Sequence, residues 1–171
     1  TFQETLGGLC LACAPLNGQT TPKPAFESEF SDNVSLPDDV EAAEISEGRV
    51  VVVAHNGLTF DHLRPQGGNT GSISIALRDG GVGGPILAEV LVQGATTSFD
   101  PGTTLSRTLE YAGPVSAELW VVTTIDSPAG GLDQGDWVLV RLSDEIQVTA
   151  NPQTLEATSA VVSVAGETFE L

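Results

Sequence analysis

The chain has one lysine, no methionine and few aromatic residues, and each scarcity excludes something. Lys and Arg together number 6 against 23 Asp and Glu, a formal net charge of −17. Nucleic acid is thereby excluded as an expected partner, because neutralising phosphates requires a basic patch. Anionic membrane surfaces are disfavoured for the same reason. No run of 18 apolar residues occurs, so no membrane-spanning segment is expected. Aromatics make up only 5% of the chain, which argues against an aromatic carbohydrate-binding platform. The absence of Met, even at position 1, fits a processed chain or a fragment, and a removed secretory signal would account for it.

What is present suits a single domain with a real core: 171 residues, 40% of them apolar. The acids are spread along the whole chain. Residues 1–48 hold nine acids and one base, residues 49–148 eleven acids and five arginines, and residues 149–171 three acids and no base. Such even charge is a property of the whole surface rather than of a binding tail. Acids without lysines suit an extracellular or cell-surface setting, saline or rich in calcium.

Three zones are expected. The first, residues 1–24, is an N-terminal arm with an uncharged stretch from 5 to 22. At its centre Leu9-Cys10-Leu11-Ala12-Cys13-Ala14 is apolar on both alternating faces, and Leu16 follows Pro15. Gly7-Gly8 and Pro15 leave little room for a helix, so the reading is a strand buried on both sides, available for insertion into a sheet. The second zone, residues 25–48, reads as an acidic linker, with one helical turn at most over Val40–Ile45. The third, residues 49–171, reads as a β-sandwich domain. Its strand candidates include Arg49–His55, Ser72–Arg78, Ile86–Gln93, Thr104–Tyr111, Val115–Ile125, Asp136–Leu142, Ile146–Thr149 and Ala160–Val164. Between them lie Asn56-Gly57, Asp79-Gly80-Gly81, Asp100-Pro101-Gly102 and Gly113-Pro114, which are turn signals. Trp120 and Trp137 sit in strong strands and are expected in the core. The expected fold class is all-β, an Ig-like or jelly-roll-type β-sandwich with an extended N-terminal arm.

Chemistry is sparse. Cys10-x-x-Cys13 is expected to be a structural pair, buried or joined as a disulfide. An intermolecular link, or metal or redox chemistry, remains open beside it. His55 and His62 are the only histidines and read as solvated or hydrogen-bonded, since no Gly-x-Ser-x-Gly elbow supplies a nucleophile for a triad. The Gly-rich loop carrying Asp126, Asp133 and Asp136 is the best metal candidate, with calcium as the ion, set against an ordinary acidic loop. No cofactor is required by any motif.

Glu47-Gly48-Arg49-Val50-Val51-Val52 opens a strand, Thr97-Ser98-Phe99-Asp100-Pro101-Gly102-Thr103-Thr104 turns into an alternating one, and Trp120 to Asp126 leads into a Gly/Asp loop. In this layout the block from Ser46 to Thr149 resembles Ig-like β-sandwich modules of prokaryotic cell-surface proteins. The resemblance implies an extracellular module of structural or adhesive type and no catalytic residues. The functional expectation is a non-enzymatic structural subunit that self-assembles into a homo-oligomer or filament by inserting Leu9, Leu11 and Cys13 into a neighbour. The alternative is a monomeric adhesion or ligand-binding module.

Overall fold

The computed structural model describes residues 2–34, 36–64, 69–132 and 134–163. The chain is all-β and folds as a sandwich of antiparallel sheets. Among the described residues there are ten strands: β1 (Phe2–Thr5), β2 (Thr20–Pro22), β3 (Phe26–Asn33), β4 (Val40–Asn56), β5 (Ser72–Asp79), β6 (Ile86–Gln93), β7 (Thr104–Ser116), β8 (Leu119–Ser127), β9 (Trp137–Leu139) and β10 (Glu145–Val162). One sheet has the order β1-β10-β4-β7 and the other β3-β8-β5-β6, while β2 and β9 form a separate two-stranded ribbon.

Period-two alternation places the core. Val50, Val52 and Ala54 of β4 and Ile146 and Val148 of β10 point inward from the first sheet. Ile73, Ile75 and Leu77 of β5, with Val121 and Ile125 of β8, answer from the second, and all belong to one continuous cluster. Along the other margin Phe2 of β1 and Phe30 of β3 meet across the layers, their rings tilted at 48° with centroids 4.6 Å apart. Full burial of side chains of this size is worth about 1.5–3 kcal/mol each.

The N-terminal arm is not the strand that its alternation suggested. After β1, residues Leu6–Leu9 form a single helical turn, α1, and Leu11–Leu16 a 3-10 turn. The buried positions are Leu6, Leu9, Cys10 and Cys13, an i, i+3, i+4, i+7 spacing that lines one face of a helical path. Leu11 on the opposite side is 84% exposed, Ala12 is exposed and Leu16 is half-buried. Gly7-Gly8 and Pro15 do not prevent this, because each turn is too short to need a helix interior. The buried arm residues join the chain's own core.

Residues 25–48 are also corrected. They are not a linker: β3 and the first half of β4 lie within them, paired with β8, β7 and β10. The expected domain boundary at 49 falls inside β4, a strand of 17 residues. Acidic residues occupy outward positions there, with Phe26 and Phe30, then Ala43 and Ile45, turned inward. At the other end, residues 145–162 form one strand of 18 residues rather than two short ones. Trp120 is half-buried, but Trp137 is 45% exposed, its indole N–H donating to the Leu132 carbonyl at 3.2 Å, so only the first meets the core expectation in part.

Candidate functional site

Polar groups are gathered at one end of the sandwich, where the connections 56–64 and 97–103 and the described residues of the connection after β8 meet the β2/β9 ribbon. A cleft of about 350 Å³ opens there, with Lys23, Phe60, Asp61, Asp100 and Asp136 among its lining residues. The lone lysine is 3% exposed. Its ammonium donates to the His62 carbonyl at 3.1 Å, to Ser127 Oγ at 2.8 Å and to the Pro128 carbonyl. A Lys ammonium has three protons, and all three are used. Burial pulls its pKa down to about 8, against the opposing pull of Asp61, Asp126 and Asp136, so it is protonated at neutral pH.

The carboxylates are similarly committed. One oxygen of Asp61 accepts from the Leu63 N–H at 2.8 Å and the other from the Phe99 N–H at 2.9 Å. Asp136 is buried and accepts from the Gly131 N–H at 2.7 Å. Asn56, fully buried, donates to the carbonyls of Phe60 (3.0 Å) and Phe99 (2.6 Å) and accepts from the Leu58 N–H at 3.0 Å. These side chains replace the backbone partners that irregular loops lack. Their common effect is to tie the loops at this end to one another.

His62 departs from the expectation of a solvated or satisfied ring. It is 0% exposed, and neither ring nitrogen has a hydrogen-bond partner among the described residues. Phe99 meets it edge-on at 5.3 Å and Phe26 lies at 6.1 Å. Burial and the neighbouring Lys23 charge push its pKa down to about 3, so the ring is neutral. His55 lies on β4, half-buried, its Nδ1 3.3 Å from Thr104 Oγ1. Among the described residues neither histidine is hydrogen-bonded to a carboxylate, the arrangement that a Ser-His-Asp triad needs.

Two of the three carboxylates of the candidate metal loop, Asp126 and Asp136, both lie near enough to Lys23 to act on its charge. Asp126 is exposed at the end of β8, Asp136 is buried and bonded to its own loop, and Asp133 lies outside the described residues. Among the described residues there is no group of three His, Cys, Asp or Glu side chains able to hold a metal ion. Cys10 and Cys13 are joined to each other as a disulfide. This closes the arm's helical turns on themselves and leaves no free thiol.

A second candidate is backbone rather than side chain. In the first sheet β10 pairs with β4 along its whole length on one side. On the other side it pairs with β1 only from Glu145 to Val148. Residues 149–162 therefore present a free edge, unpartnered among the described residues. From Leu155 onward every described β10 residue is exposed, including Leu155 (45%), Val161 (57%) and Val162 (49%). Sequence reasoning missed this edge because it split the strand, and missed Lys23 because nothing beside it except flanking prolines hints at burial.

No protein-family model, curated protein or solved structure matches the chain. No helix among the described residues is long and apolar enough to cross a membrane.

Proposed function

We propose that the chain is a non-catalytic structural module of the cell exterior that associates through its sheet edges. The observation that carries this reading is the outer edge of β10 over residues 149–162, paired with β4 on one side and without a partner among the described residues on the other, beside exposed Leu155, Val161 and Val162. Unpaired strand edges are templates for adding another strand. In the polar cleft the three Lys23 protons and one acceptor site on each Asp61 oxygen are engaged in holding loops, which supports the non-catalytic reading. The Cys10–Cys13 disulfide favours an oxidising compartment, and the −17 charge favours a solvated, saline one. In this reading the arm closes its own sandwich, since Leu6, Leu9, Cys10 and Cys13 lie in the chain's own core, and association falls to the edges.

The test is solution mass by light scattering across a concentration series. The expected result is a mass that rises with concentration above the 17.7 kDa of one chain, more steeply in high salt. A fixed single-chain mass up to about 1 mM would overturn association and leave a monomeric adhesion or ligand-binding module.

A further inference from the structure

We propose that Asn56-Gly57 is a latent site of spontaneous modification: the fold holds this pair shut against deamidation, and a chain that opens and deamidates there cannot close again. The inference stands apart from the functional reading above.

Asparagine is a thermolabile residue, and most so before glycine, which puts no side chain in the way of ring closure. The Gly57 amide nitrogen attacks the Asn56 carboxamide carbon. A carbon–nitrogen bond forms and closes a five-membered imide, the Gly57 nitrogen gives up its proton, and Nδ2 leaves as ammonia. Water then opens the imide at either carbonyl. The product is aspartate or, where the main chain now runs through the former side chain, isoaspartate. Water is the only co-reactant.

The fold dictates both residues of the pair. Gly57 lies against the backbone at the start of β10, and a Cβ there would come within 2.6 Å of the Glu145 carbonyl oxygen. Asn56 joins three stretches of chain. Its carboxamide donates to the Phe60 and Phe99 carbonyls and accepts from the Leu58 N–H. Its main-chain N–H donates to the Thr103 carbonyl at 3.0 Å, and its carbonyl accepts from the Gly102 N–H at 2.7 Å. An ionised aspartate has no side-chain proton for either carbonyl.

The same contacts close the reaction path. Ring closure requires the carboxamide to leave three partners and swing over the Gly57 nitrogen. The proton on that nitrogen is donated to the Glu145 carbonyl at 2.9 Å. Asn56 is also 0% exposed, so the reaction waits for the chain to open. Afterwards the return is blocked. A carboxylate would face the Phe60 and Phe99 carbonyl oxygens in a buried site. Isoaspartate would add a main-chain carbon where Asn56 is in register with Ile146.

Asn17-Gly18 is an internal reference, the same dipeptide in an exposed place. Its carboxamide oxygen accepts from the Leu142 N–H at 3.1 Å, a bond that aspartate would keep.

The experiment ages the full chain in mildly alkaline buffer, folded and in urea above the unfolding midpoint, and reads amide-to-acid conversion at each asparagine by peptide mass spectrometry. In urea Asn56 and Asn17 should convert at similar rates. Folding should slow Asn56 by at least about tenfold, and by about a thousandfold where only global unfolding exposes it. An Asn56 that stays intact in urea while Asn17 converts, or that folding slows by less than about tenfold, overturns the proposal. The second arm makes the products directly, as Asn56→Asp and Asn17→Asp. Each adds one negative charge to the same chain, so their difference isolates the buried carboxylate. Asn17→Asp should melt with the wild type, and Asn56→Asp well below it or not fold at all. If Asn56→Asp melts as late as Asn17→Asp, a deamidated chain can close and the one-way step is overturned.

Discussion

His62 makes the fold sensitive to acid, and the size of the effect follows from its setting. An imidazole in the unfolded chain titrates near 6.5, whereas burial and the Lys23 ammonium hold the folded one at about 3. The folded state therefore takes up this proton later than the unfolded state. Stability is fully present above pH 6.5 and falls as the pH is lowered from 6.5 toward 3. Each unit of separation is worth about 1.4 kcal/mol, so at pH 4.5 the loss is about 3 kcal/mol. That is a large share of the roughly 5–15 kcal/mol that holds a typical domain together. Lys23 adds no slope in this window, because it is protonated in both states. Asp144, whose carboxyl is raised by burial, acts in the opposite sense. The assay is urea unfolding followed by tryptophan fluorescence at several pH values between 7 and 4.5, on wild type and on His62→Leu. Leu cannot titrate, and it removes two buried nitrogens that have no partner among the described residues. The gap between the two proteins should shift by about 3 kcal/mol in favour of the variant on going from pH 7 to pH 4.5. Parallel pH profiles for the two proteins would refute the assignment of acid sensitivity to this ring.

Two further outcomes follow from the same end of the molecule and from the arm. Lys23→Met should destabilise the fold by about 3–5 kcal/mol, because the His62 and Pro128 carbonyls and Ser127 Oγ lose their donor in a buried site. The same variant removes a positive charge beside His62, so the acid transition should move to lower pH relative to its own neutral-pH stability; calorimetry across pH reads both effects. Reducing the Cys10–Cys13 disulfide frees a loop of only three residues' separation, for which the chain-entropy relation gives about 2 kcal/mol. A melting curve with and without reductant measures it, and complete unfolding on reduction would show that the arm carries far more of the fold than loop closure allows.

The strands that could be read from the sequence were those that obey one period without interruption. Ile86–Gln93 and the run beginning at Ser72 are the same in the sequence and in the fold. The arm was misread because it carries two patterns at once. Leu9, Leu11 and Cys13 alternate as a strand would, while Leu6, Leu9, Cys10 and Cys13 follow the helical spacing, and burial selects the second. β3 was hidden because only Phe26 and Phe30 anchor it among acids, four residues apart rather than two. The ends of β4 and β10 were hidden for a related reason: a strand exposed on its outer positions loses the apolar alternation by which strands are recognised. The polar cleft was almost wholly illegible. Lys23, Asp61 and Asp136 lie far apart in sequence, and only the loop crossings bring them together.

The acid excess and the bare edge can be understood as one design. A protein whose strand β10 has an outer edge of fourteen residues without a partner among the described residues needs some protection against uncontrolled stacking. The usual device is local, a lysine or a buried charge on the edge itself. Residues 146–163 carry no such lysine and one acid, so beyond Pro152 and the bulges of β10 any protection acts over a longer range. A net charge of −17 supplies it, since approach of a second copy is opposed before the edges meet. Long-range repulsion differs from a lysine gatekeeper in one respect: it fades with ionic strength, because the Debye length shortens from about 30 Å at 0.01 M to about 10 Å at 0.1 M. A lysine on the edge would block pairing in any medium. A diffuse acidic surface blocks it in dilute medium and permits it in brine, so on the proposed reading the solvent outside the cell decides when the modules join.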